Sequence, residues 1–98
     1  MQKITSKAIS RDALMETLEK KYPNMFLRTT EEFSGSTGGI WTSGEESPMN
    51  ENGDQLFDYW AESDKYSLGV RKDFMRYLER LGWYCEWHDA GTMMMWQI

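Results

Sequence analysis

His88 and Cys85 are the only histidine and the only cysteine of the chain, three residues apart, with Asp89 beside the histidine. A histidine oriented by a carboxylate can serve as a general base, and a cysteine paired with a histidine as an activated nucleophile. The spacing argues against both. Trp83-Tyr-Cys-Glu-Trp-His-Asp89 reads as a strand, and residues three apart on a strand point to opposite faces. Cys85 is therefore expected to be a buried small hydrophobe, and His88 a polar residue at a strand end. The loop from Glu45 to Asp54 offers oxygens to a hard cation, but lacks the alternating order and closing bidentate glutamate of a calcium loop. Thr37-Gly38-Gly39 is glycine-rich, yet neither a helix nor a phosphate-binding lysine follows it. Arg71, Lys72, Arg76 and Arg80 could grip a phosphate backbone or an acidic partner. Asp73 and Glu79 dilute that patch, and pairing along a helix explains it equally well. No catalytic, metal or cofactor site converges, so the chain reads as non-enzymatic.

The same terminal stretch holds the strongest structural signal. Two strands around Asp89-Ala90-Gly91, with a positive φ at Gly91, make a hairpin. The pairing places Tyr84 opposite Trp96, Cys85 opposite Met95, Glu86 opposite Met94, Trp87 opposite Met93 and His88 opposite Thr92. One face then collects Trp83, Cys85, Trp87, Met93 and Met95, which can only be core. The other carries Tyr84, Glu86, His88, Thr92, Met94, Trp96 and Ile98, and is amphipathic.

Ninety-eight residues suffice for one domain that buries roughly two thirds of its unfolded surface without disulfides. Five Trp, five Tyr, four Phe and eight Met supply bulky core material and exclude a disordered tail. A lone cysteine permits no intrachain disulfide and suits a reducing compartment. Neither an export signal nor a bilayer-length apolar run is seen, so a cytoplasmic protein is expected. The net charge of −5 is unevenly spread. Residues 29–64 hold nine acids (Glu31, Glu32, Glu45, Glu46, Glu51, Asp54, Asp58, Glu62 and Asp64) and no Lys or Arg. That balance disfavours direct nucleic-acid binding, which needs a basic footprint.

Along the chain, residues 1–8 read as a loose lead-in. Ser10 can cap a helix over about 10–21, with Asp12 and Lys20–Lys21 suiting its dipole and Pro23 ending it. Residues 25–33 have strand propensity, as do 40–43 after the glycine-rich turn, and the two are expected to pair. Residues 44–53 form a loop and 55–60 a third strand, with Phe57 and Tyr59 on one side and Leu56, Asp58 and Trp60 on the other. A second helix is expected over 67–81, its face built from Val70, Phe74, Tyr77, Leu78 and Leu81, with basic residues outward and Gly82 as its stop. The order α-β-β-β-α-β-β predicts a single α+β domain: a mostly antiparallel sheet of about five strands with both helices on one face.

Two functions fit. One is a protein-binding module for a protein partner or for itself, whose contact residues are Tyr84, Met94, Trp96 and Ile98, joined by Trp60 or Trp41. The other is an inhibitor whose 31–64 carboxylates imitate nucleic-acid phosphates in the basic cleft of a host protein. The phrases Arg28-Thr-Thr-Glu-Glu-Phe33, Gly38-Gly-Ile-Trp-Thr-Ser-Gly-Glu45, Leu56-Phe-Asp-Tyr-Trp60 and Gly82-Trp-Tyr-Cys-Glu-Trp-His-Asp-Ala-Gly-Thr92 resemble those of small uncharacterised bacteriophage and prophage proteins. The resemblance covers roughly residues 25–98 and carries no catalytic residue. It implies a setting, a phage product that binds host proteins in a bacterial cytoplasm.

Overall fold

The helix expected after Ser10 is α1, Arg11–Lys21, in the computed structural model, which describes residues 8–33 and 35–98. The Ser10 hydroxyl accepts from the Ala13 N–H at 3.1 Å, and Leu14 and Leu18 point into the core. The expected lead-in lies outside the described residues up to Lys7; Ala8 and Ile9 pack on the core. Ile9 is held by its neighbours: its N–H donates to Leu81, and its carbonyl accepts from the Trp83 indole and the Gln97 amide.

The strand expected over 25–33 is shorter. β1 is Arg28–Thr29, paired antiparallel with β2, Ile40–Ser43. At Thr30 the chain turns into a one-turn helix, α2, Thr30–Phe33. Local bonds cause the switch. The Thr30 N–H donates to the Gly39 carbonyl, and its buried hydroxyl accepts from the Gly39 N–H, both at 3.1 Å. The Glu31 carboxylate accepts from the Gly38 N–H at 3.1 Å and pairs with Arg11 at 2.6 Å.

The expected strand over 55–60 is not formed. Met49 bridges Gln55 and Phe57 bridges Val70, each as an isolated pair. Leu56 and Phe57 are both fully buried, so the two-sided pattern expected of this segment is absent. Leu56 donates to the Pro48 carbonyl and accepts from Arg71, while the Phe57 N–H donates to the Ser47 hydroxyl. The segment is wedged between a loop and a ribbon and is not laid into a sheet.

That ribbon replaces the start of the expected second helix. β3 (Tyr66–Ser67) and β4 (Val70–Arg71) pair around Leu68-Gly69, whose φ values of 48° and 78° are those of a tight hairpin turn. Glycine could not carry a side chain here: a Cβ at Gly69 would lie 2.9 Å from the Asp58 carbonyl. The helix itself, α3, is Lys72–Arg80 and stops at Gly82, φ +85°. Arg71, expected outside, is 8% exposed; its guanidinium donates to the Asp54 carbonyl and the Asp73 carboxylate, both at 2.6 Å.

β5 (Trp83–Asp89) and β6 (Thr92–Gln97) form the expected hairpin, in the expected register from Tyr84↔Trp96 to Trp87↔Met93. The turn differs. Asp89 pairs with Thr92, His88 is left as a bulge, and the Asp89 carboxylate accepts the Gly91 N–H at 3.0 Å. Gly91 is not among the glycines of positive φ, so Asp89, and not glycine freedom, closes the turn. β6 is central, giving the order β1-β2-β6-β5. The fold is α+β, a four-stranded antiparallel sheet with a two-stranded ribbon. Leu14 and Leu18 of α1 and Phe74 and Leu78 of α3 meet Ile40, Trp83, Met93 and Met95 on one face of the sheet. Among the described residues, no helix is long and apolar enough to cross a membrane.

Candidate functional site

Alternation on four paired strands builds the other face. The register aligns Arg28, Trp41, Met94 and Glu86 in one row across β1, β2, β6 and β5. The row runs from a cation at one sheet edge, through two apolar side chains, to an anion at the other. Tyr84 and Trp96 pair in a neighbouring row, and Ile98 continues the alternation past the end of β6. Among the described residues, no long helix covers this face.

Its cover among the described residues is aromatic. Phe33, on α2, meets the Trp41 ring at 4.8 Å and the His88 ring at 4.9 Å, and so reaches from β2 to β5 across β6. Phe26 meets Trp41 edge-on at 5.0 Å, with the Arg28 guanidinium 4.6 Å over its own ring. Trp96 lies on Gly39, where a Cβ would come within 2.5 Å of the indole. Two indole N–H groups, those of Trp41 and Trp96, are sealed from solvent without a hydrogen-bond partner. Such a group is costly to bury, so the face trades polar satisfaction for ring packing.

The expected contact residues divide. Tyr84 and Ile98 are exposed, 41% and 76%. Met94 stands in the same row as Trp41 and Glu86 but is buried, 5% exposed. Trp96 is half-buried. Trp60, 76% exposed, stands elsewhere: it meets Tyr59 edge-on, as Tyr59 does Trp87, whose indole donates to the Leu68 carbonyl on the core side. Phe26 and Phe33 complete the surface and were not anticipated. Phe26 was within reach, since it is two residues before Arg28; Phe33 was not, because its position follows from the turn at Thr30.

Cys85 and His88 lie on opposite faces of β5. The thiol packs on the core, where burial pushes its pKa up, away from any nucleophilic role. His88 rests against Phe33 on the open face. Among the described residues, no group of three or more His, Cys, Asp or Glu could hold a metal ion. The Gly38 N–H already serves the chain's own Glu31. That bond, more than the Arg11 partner, holds the Glu31 carboxyl below the usual carboxylate range.

The acids are unequally engaged. Glu31 pairs with Arg11 and Asp54 with Lys65, and the Glu32 carboxylate accepts from the Thr29 hydroxyl. Among the described residues, Glu45, Glu46, Glu51, Asp58, Glu62 and Asp64 are exposed and enter no ion pair. No protein-family model, curated protein or solved structure matches the chain.

Proposed function

We propose that this chain is a non-enzymatic protein-binding module that works through its open sheet face, and that the surface this face fits best is the same face of a second copy. One observation carries the reading, the row Arg28–Trp41–Met94–Glu86. A two-fold axis parallel to the strands sets the β1 edge of one copy over the β5 edge of the other. Each Arg28 then faces a Glu86, with the rings of Phe26, Phe33 and Tyr84 between the sheets. An axis across the strands would instead set Arg28 against Arg28. Isologous contacts of this kind are the commonest in homo-oligomers, and aromatic residues are enriched at interface centres. The phage accessory setting that the sequence resembles accommodates such a module.

Sedimentation velocity tests it: the wild-type chain should form a dimer as its concentration rises, and Tyr84→Glu or Ile98→Glu should return it to monomer with an unchanged circular dichroism spectrum. A wild-type chain monomeric throughout would reject self-association.

A second reading rests on the unpaired carboxylates between Glu45 and Asp64, which would occupy the basic cleft of a nucleic-acid-binding protein. Capture of such proteins from host lysate should then weaken steeply with salt, because exposed charges are screened within about 10 Å at 0.1 M. Salt-insensitive capture would reject it.

A further inference from the structure

We infer that a recess at the turn end of the terminal hairpin binds the cationic end of a lysine or arginine side chain presented by a basic protein segment. The recess has a volume of about 180 Å³, and its accessible lining includes Tyr59, Trp60, Glu45 and Asp58, with the fully buried Phe57 behind them. Carboxylates alone would be an ordinary solvated surface. The rings make the difference, since the face of an aromatic ring is negative and attracts a cation, Trp most strongly.

The walls are fixed in place by the fold. Tyr59 meets Trp87 at right angles with centroids 5.0 Å apart, and Trp60 meets Tyr59 edge-on at 4.9 Å. The Asp58 N–H donates to the Gly69 carbonyl at 2.8 Å, and the Asp58 carboxylate accepts from the Trp60 N–H at 3.2 Å. Opposite them, the Ser43 hydroxyl accepts from the N–H groups of Glu45 and Glu46, pinning that turn beside the hairpin. Trp60, exposed to 76%, is a large apolar side chain that the described residues leave mostly uncovered. Neither Glu45 nor Asp58 is neutralised by a Lys or Arg among the described residues.

The charge pattern selects the ligand and its source. Two carboxylates and aromatic rings repel phosphate and offer too few oxygens for a hard cation. An alkylammonium or guanidinium group suits both the rings and the acids. Glu46, Glu62 and Asp64 extend the unpaired charge beyond the recess, which a basic segment would use and a single small amine would not. The inference is independent of the open face, which shares none of these residues.

The test is a titration of ¹⁵N-labelled full-length protein, read at the Trp60 indole and the Asp58 and Trp60 amides. The probes are a capped pentapeptide of alternating Lys and Gly, its Arg counterpart, its norleucine counterpart and free butylammonium. The Lys or Arg peptide should shift these signals saturably, and Trp60→Ala or the pair Asp58→Asn with Glu45→Gln should weaken binding about tenfold or more. The norleucine peptide should not bind, and butylammonium should bind about tenfold more weakly than the peptide. Trp60 is exposed, so spectra of its variant should overlay on wild type elsewhere. No shift with either basic peptide up to about 10 mM would overturn the inference. So would equal binding by the norleucine peptide, unchanged binding in Trp60→Ala, or butylammonium binding as tightly as the peptides.

Discussion

Phe33 and His88 meet edge to face, with centroids 4.9 Å apart and planes at 87°, joining α2 to the far strand of the sheet across β6. This contact and the one to Trp41 lie over the middle of a face that, among the described residues, no long helix covers. Removing the ring should uncover Met94. Phe33→Ala should cost about 1–2 kcal/mol in urea denaturation, below the 3–5 typical of a wholly buried phenylalanine, because the ring is partly exposed. The His88 ring proton resonances should move with it. An unchanged midpoint would mean that α2 contributes no cover.

Arg71 and Asp73 set a pH dependence. The Arg71 guanidinium beside Asp73 holds its carboxyl below the usual carboxylate range. The folded pKa lies below the unfolded one, so the stabilisation is complete above the unfolded value, about 3.9, and is lost as pH falls through the folded one. Asp73→Asn should cost about 0.5–1 kcal/mol at pH 7, a figure discounted because that carboxylate is largely exposed, and nothing in strong acid. Arg71→Met should cost more, about 1–3 kcal/mol, since it removes the buried guanidinium's bonds to both Asp73 and the Asp54 carbonyl, which keeps only the Asn50 N–H. Denaturation midpoints against pH check both.

Backbone conformation makes three sites unequal. Gly53 has φ +83° with open space around it, so Gly53→Ala should cost only the left-handed penalty of about 1 kcal/mol. Gly82 has φ +85°, and a Cβ there would lie 2.4 Å from the Ala8 Cα, so Gly82→Ala should cost roughly 2 kcal/mol or more. Leu68 sits at φ 48° with its side chain 90% exposed. Leu68→Asn should therefore stabilise by about 0.5–1 kcal/mol, because asparagine tolerates this region better. Thermal and urea unfolding of the three variants give the order.

Cys85 should be inert. Its thiol is packed on the core and its pKa is raised by burial, so little reactive thiolate forms. A thiol reagent at pH 8 should modify the folded chain no faster than it opens, and the urea-unfolded chain at once. Rapid labelling of the folded chain would contradict the placement of β5.

Where side-chain alternation and capping chemistry act locally, the sequence was sufficient. Ser10 and Pro23 bounded α1, and the two-sided pattern around Cys85 and Met95 fixed the hairpin register. It failed where distant partners decide. Thr30 leaves the strand because Gly39 and Arg11 engage it and its neighbour Glu31, and Leu68-Gly69 becomes a turn against Asp58 and Trp87. The 55–60 segment had strand composition, yet it is pinned residue by residue to Pro48, Ser47 and Arg71. The alternation that puts Tyr84, Met94, Trp96 and Ile98 on one side was legible in the sequence, but the burial of Met94 was not, because alternation gives the side of a sheet and not what packs over it. Trp60 was grouped with them by residue type alone; its contacts with Tyr59 place it at a different end of the molecule.

Charge exchange across the open face gives the most direct measurement. Arg28 and Glu86 stand at opposite ends of one row, and the proposed two-fold brings each over the other. Sedimentation equilibrium of Arg28→Glu and of Glu86→Arg should show dimer dissociation constants raised about tenfold or more over wild type, with the double exchange returning toward the wild-type value. A wild-type chain that never dimerises, or a double exchange no tighter than either single change, would contradict the face-to-face assembly.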